Sequence, residues 1–143
     1  MKAQNEQYLE RTQKSFDRQA MMKTLGAELS VLAPGKVEIR FPYNPKFTQQ
    51  NDYLHAGIVT TIMDSACGYA AFTLMPPDAD VLTVEFKVNL LRPAKGEVFT
   101  SSAVVLKPGK TISVVEALLY SPEYGEQGDK PVASMTATIM TMI

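Results

Sequence analysis

Between Ala56 and Met75 runs a stretch of twenty residues, AGIVTTIMDSACGYAAFTLM, that carries a single charge, Asp64, near its middle. The stretch is too long for one strand and lacks strict alternation, so it reads as a helix of about five turns ended by Pro76-Pro77. Its length approaches a membrane span. A carboxylate at mid-bilayer depth costs several kcal/mol, so a buried helix of a soluble protein is expected instead. Such a helix, apolar nearly all round, needs cover on every side. One sheet covers one side only, and a second copy of the chain is the simplest cover for the other, which makes a homo-oligomer, a dimer or dimer of dimers, the expected state.

The remainder of the chain supplies the sheet. Lys36 to Pro42 alternates, with Val37, Ile39 and Phe41 on one face and Glu38 and Arg40 on the other. A first strand over Leu25 to Leu32 precedes it across the turn Pro34-Gly35. Asn44 to Leu54 is polar and reads as a loop. Beyond the helix, Val84, Phe86, Val88 and Leu90 share one face and Glu85, Lys87 and Asn89 the other. Strict alternation sets Thr83 with the second group, away from Phe86. RPAKGE forms a turn, and Val98 to Lys107 and Thr111 to Tyr120 flank Pro108-Gly109. The glycine-rich SPEYGEQGDKP leads to a last strand with Ala133, Met135, Ala137 and Ile139 inward. Asn5 to Met22 holds no proline or glycine and reads as a weakly amphipathic helix with Leu9, Phe16 and Ala20 on its apolar side. The expected fold is α+β, an antiparallel sheet of five or six strands around one long helix. A single domain over 1–143 is expected, with a helix over 1–23 and the core over 24–143.

Composition narrows the function. The chain has 143 residues and 14 basic against 15 acidic groups, a balance that argues against nucleic acid or an anionic membrane as partner. One cysteine, Cys67, excludes a disulfide scaffold and multi-Cys zinc clusters and makes a cytoplasmic setting the expectation. One histidine, His55, excludes metal sites that need two imidazoles, and no metal or cofactor is expected. The N-terminal twenty residues lack the apolar core of a secretory signal.

Asp64 lies some two and a half turns inside the helix, too deep to cap it or to answer its dipole, and is a candidate base or nucleophile. His55, Ala56 and Gly57 stand at the helix entry, where first-turn N–H groups lack partners. Gly57 allows a ligand oxygen to come close, as an oxyanion hole requires. Cys67 reads as a small buried hydrophobe, and the methionines mainly as packing.

The stretch QQNDYLHAGIVTTIMD, Gln49 to Asp64, resembles the signature of hotdog-fold acyl-CoA thioesterases of the phenylacetyl-CoA and 4-hydroxybenzoyl-CoA type. LTVEFKVNLLRPAKGE resembles a later segment of the same family, and the likeness covers residues 24–143. The resemblance implies a hotdog fold and hydrolysis of an acyl-CoA thioester, with CoA as part of the substrate rather than a cofactor. It gives Asp64 the role of nucleophile or general base and the Gly57 N–H that of oxyanion donor. His55 orients the loop, Gln49 supplies a side-chain amide near the thioester, with Asn51 as its rival, and Thr83 helps to hold water. The site would form between subunits. CoA phosphates would be met by Arg92, Lys95, Lys107 and Lys110, which stand at strand ends and turns. The motif departs from His-Gly-Gly at Ala56. A non-catalytic acyl-CoA-binding or regulatory module on the same fold is the alternative.

Overall fold

A computed structural model describes residues 1–125 and 130–143. The glycine-rich connection predicted over 121–131 falls partly outside the described residues. The elements, in chain order, are α1 (Tyr8–Asp17), α2 (Ala20–Thr24), β1 (Glu28–Ala33), β2 (Lys36–Pro42), α3 (Ala56–Phe72), β3 (Asp80–Leu90), β4 (Val98–Lys107), β5 (Ile112–Tyr120) and β6 (Ala133–Met142). The strands form one antiparallel sheet in the order β1-β2-β4-β5-β6-β3, and α3 packs along its concave side. This is the hotdog arrangement expected above.

The alternating patterns place the core. Val37, Ile39 and Phe41 of β2, Val115, Ala117 and Leu119 of β5, and Ala133, Met135, Ala137 and Ile139 of β6 are all buried against α3. Phe41 and Phe99 stack across β2 and β4 with centroids 5.4 Å apart. From the helix, Val59, Ile62, Met63, Ala66, Cys67 and Ala70 meet them. Among the described residues no helix is long and apolar enough to cross a membrane.

α3 ends at Phe72, three residues before the point the proline pair predicts. The Thr73 hydroxyl explains the early stop: it donates to the Ala70 carbonyl at 2.7 Å and accepts the Gly35 N–H at 2.7 Å. Leu74 and Met75 then turn with i→i+3 bonds to Ala71 and Phe72, a tightened last turn that consumes carbonyls a longer helix would have used.

The N-terminal segment is two helices, not one. It breaks at Gln19, whose backbone is extended and whose side chain reaches α3 instead. The break changes which residues face inward. Phe16 is buried as expected, but Leu9 and Ala20 are exposed, and Thr12, Met22 and Leu25 take their places. Gly26, at φ +66°, closes α2 with a reversed turn in which Ala27 N–H donates to Met22 and Gly26 N–H to Lys23. β1 therefore starts at Glu28 rather than Leu25. Phe16 packs edge-on to Tyr69 of α3, and the Arg11 guanidinium lies 4.0 Å above the Phe72 ring while donating to the carbonyls of Pro76 and Ala79. The N-terminal arm thus covers the second half of α3 on the side away from the sheet.

Candidate active site

The side of α3 turned away from the sheet is mostly small and polar. It presents Gly57, Ile58, Thr60, Thr61, Asp64, Ser65 and Gly68, all at least partly open, with the arm touching it through Gln19 at Ser65. The Thr60 and Thr61 hydroxyls fold back onto the carbonyls of Ala56 and Gly57 at 2.8 and 2.7 Å, so this stripe keeps its polar groups satisfied without a partner element.

Asp64 lies half-buried on the stripe, and Thr83 of β3 donates its hydroxyl to Asp64 Oδ1 at 2.8 Å. Strict alternation sets Thr83 on the outer face, and the register shows why it turns to the helix side instead. Thr83 pairs with Ile139, yet Glu85 pairs with Thr138, so Val84 is an extra residue in a β-bulge. The bulge turns the face over: Thr83 joins Phe86 and Val88 on the helix side, while Glu85 accepts a hydrogen bond from outward-facing Thr138. Among the described residues Thr83 is the one hydrogen-bond partner of the Asp64 carboxylate, and Asp64 lines a cleft of about 380 Å³ bounded by Gln19, Tyr69 and Val81. Cys67, one turn away, points into the core. Burial foremost, then the charges of Asp64 and Glu116, pushes its thiol well above the ordinary range, so it holds no thiolate for nucleophilic work.

At the helix mouth His55 is the N-cap. Its Nδ1 accepts the Gly57 N–H at 2.8 Å, which the missing side chain of Gly57 permits: a Cβ there would lie 3.0 Å from that nitrogen. As acceptor in this cap, Nδ1 carries no proton, which leaves Nε2 as the ring's donor. It also occupies the amide that the sequence offers as oxyanion donor. The N–H one residue earlier, on Ala56, meets no acceptor among the described residues and faces outward at the first helical position.

Beside this mouth a cleft of about 460 Å³ is lined by Gln49, Ala56, Leu91 and Arg92. Gln49 is held by its turn, its Oε1 accepting the Asn51 N–H and its own N–H donating to Tyr53 at 2.9 Å. Asn51 is exposed outside the cleft, so the structure brings Gln49, and not Asn51, to the mouth. Arg92 reaches the Pro131 carbonyl at 2.8 Å, and Lys95 lies 3.8 Å from Glu123 in the next loop. Lys107 and Lys110 belong to the far end of the sheet: Lys110 lines a hollow with Leu74 and Met75, beyond the C-terminal end of α3. Among the described residues no group of three His, Cys, Asp or Glu side chains gathers as metal donors.

The two halves of the site are apart. Eight residues of helix separate Ala56 from Asp64, about 12 Å of axial rise. One carbonyl group cannot meet both within a single chain. β3 lies at the edge of the sheet beside Asp64, its backbone unpaired on one side, and Leu82, Val84, Phe86 and Leu90 are 40–55% exposed.

The sequence profile described as the thioesterase superfamily matches residues 51–126. A thioesterase family protein of Silicibacter pomeroyi is 53% identical and superposes with a TM-score of 0.90 over 95% of this chain and 98% of that one. A Saccharolobus solfataricus protein provisionally named an esterase is 34% identical over 80% of each chain. A medium/long-chain acyl-CoA thioesterase of Escherichia coli, YigI, is 27% identical over 82% of this chain and 83% of its own.

Proposed function

This chain belongs to the thioesterase superfamily, and from that premise we propose that it hydrolyses acyl-CoA thioesters in a site shared by two copies of itself. The observation that carries the reading is the Asp64 carboxylate, half-buried midway along α3, tied through one oxygen to Thr83 and lining a cleft.

Two copies joined along their β3 edges satisfy the exposed apolar residues of that strand and the unpaired backbone beside them. A two-fold relation there sets the α3 helices antiparallel, with the mouth of one beside Asp64 of the other. In this arrangement the thioester oxygen accepts the Ala56 N–H at the positive end of one helix. Asp64 of the other chain takes a proton from water as its oxygen bonds to the acyl carbon. The carbon–sulfur bond then breaks, and the proton passes to the departing CoA thiolate. The Thr83 hydroxyl donates to Asp64 and keeps a lone pair to orient that water. The Gln49 amide adds a second donor near the carbonyl, and His55 keeps the mouth in shape. Arg92 and Lys95, near the mouth, meet the CoA phosphates; Lys107 and Lys110, at the other end of α3, do not take part.

The alternative, a module that binds acyl-CoA without cleaving it, separates in one assay. Wild-type protein is expected to release free thiol from at least one member of a panel of acyl-CoA esters. Asp64→Asn is expected to bind the same ester and release thiol at least about a hundredfold more slowly. Saturable binding by the wild type with no thiol released from any ester would favour the module.

A further inference from the structure

The geometry points to the hollow over Gly68 as the slot for an unbranched acyl chain, with the N-terminal arm, pinned by Gln19, as the wall that limits its length. The inference rests on the proposed thioesterase reading and names the acyl group that the site selects.

Gly68 lies one turn beyond Asp64 on the same face of α3, toward the C-terminal end. Glycine weakens the interior of a helix, and nothing in the backbone here requires it: Gly68 has ordinary helical geometry. Apart from its own turn of helix, a Cβ built on it would meet no atom within 4 Å. Packing inside this chain therefore does not exclude a side chain. What the glycine leaves is empty volume, continuous with the cleft that holds the Asp64 carboxylate. Val81 bounds it on the β3 side. The arm bounds it through Gln19, toward Tyr69 and the C-terminal half of α3. Gln19, at the break between α1 and α2, uses both ends of its amide on α3. Its Oε1 accepts from Ser65 at 3.0 Å and its Nε2 donates to the Tyr69 hydroxyl at 3.2 Å, while Ser15 approaches the same hydroxyl at 3.4 Å.

These polar groups are spent on one another, so the wall offers the occupant shape rather than hydrogen bonds. An acyl chain whose carbonyl carbon is placed at Asp64 has this hollow directly ahead of it. The walls offer no free polar group and the floor at Gly68 carries no side chain, which suits an apolar methylene chain. Gly68 and Gln19 are accordingly specificity-determining positions: the first makes room, and the second holds the arm that closes the far end.

The test compares wild type, Gly68→Val and Gln19→Leu across saturated acyl-CoA esters from two to twelve carbons, with phenylacetyl-CoA added. Binding of the same esters is measured on Asp64→Asn backgrounds. Gly68→Val should lower kcat/KM about tenfold or more for the longest ester the wild type prefers, and acetyl-CoA less than about threefold. Gln19→Leu should move the preference to longer chains, chiefly through KM. Should Gly68→Val fail to fold, Gly68→Ala should give the same ordering with a smaller shift.

A loss equal across all lengths, an unchanged profile, or a preference for the phenylacetyl ester would overturn the slot. So would a fall in assembly mass of Gly68→Val by light scattering, which would assign the glycine to the contact between copies. The underlying reading fails separately: if Asp64→Asn hydrolyses esters at the wild-type rate, the catalytic assignment is lost, while a length-dependent change in binding would still support the slot.

Discussion

The two sides of α3 belong to one helix and answer to different constraints. Toward the sheet it presents Val59, Ile62, Met63, Ala66 and Ala70, each at most 1% exposed. Away from the sheet it presents Gly57, Thr60, Thr61, Asp64 and Gly68, small or polar residues that fill no core. The first side makes the fold and the second leaves a surface on which a carboxylate, a helix mouth and a hollow are arranged. Residues that contribute little to stability are therefore the ones expected to decide activity.

That contrast can be broken by substitution, from large effects to small. On the open side, Asp64→Asn should lower kcat/KM by about 10²–10⁴-fold while the unfolding midpoint stays near that of wild type, read by thiol release and thermal melts. The reverse is expected on the sheet side. Ile62→Ala empties a fully buried site and should cost about 2–5 kcal/mol by denaturant titration, without changing which esters are preferred. Smaller again is His55→Ala, which removes the cap of the Gly57 amide and should cost about 1 kcal/mol. His55→Asn, a good N-cap, should recover that stability. Activity that stays low in His55→Asn would give the ring a role beyond the cap. Smallest is Gly68→Ala, with the opposite sign: a gain of about 0.5–1 kcal/mol, because a helical site with open space accepts a methyl group. A destabilised Gly68→Ala would mean that the open side is packed after all.

Much of this was legible in the residues. The alternation in β2 and β6 identifies strands and their inward residues because a half-buried strand repeats every second position. Asp64 stood out because a charge inside an apolar helix is costly without a role. Three features were not legible, each set by contacts across the fold. Alternation cannot reveal a bulge, so Thr83 was expected opposite its actual face until the pairing with β6 placed Val84 outside the register. Periodicity cannot foresee that Gln19 bonds Ser65 and Tyr69, so one helix was expected where there are two. The His-x-Gly spacing offers Gly57 as a bare amide. Only the folded-back ring reveals that Gly57 N–H is taken and Ala56 N–H is not.

In the proposed site neither copy performs catalysis alone, and mixing two disabled chains tests this directly. Ala56→Pro deletes the mouth amide at the first helical position, where proline is favoured and the extended backbone of His55 already suits it. Asp64→Asn deletes the base. Each homodimer should be nearly inactive. Co-expressed in equal amounts, the two variants should recover about a quarter of wild-type activity, since half of the dimers are mixed and each mixed dimer holds one intact site. Activity in the mixture no higher than in the separate variants would place both groups in one chain and contradict the account.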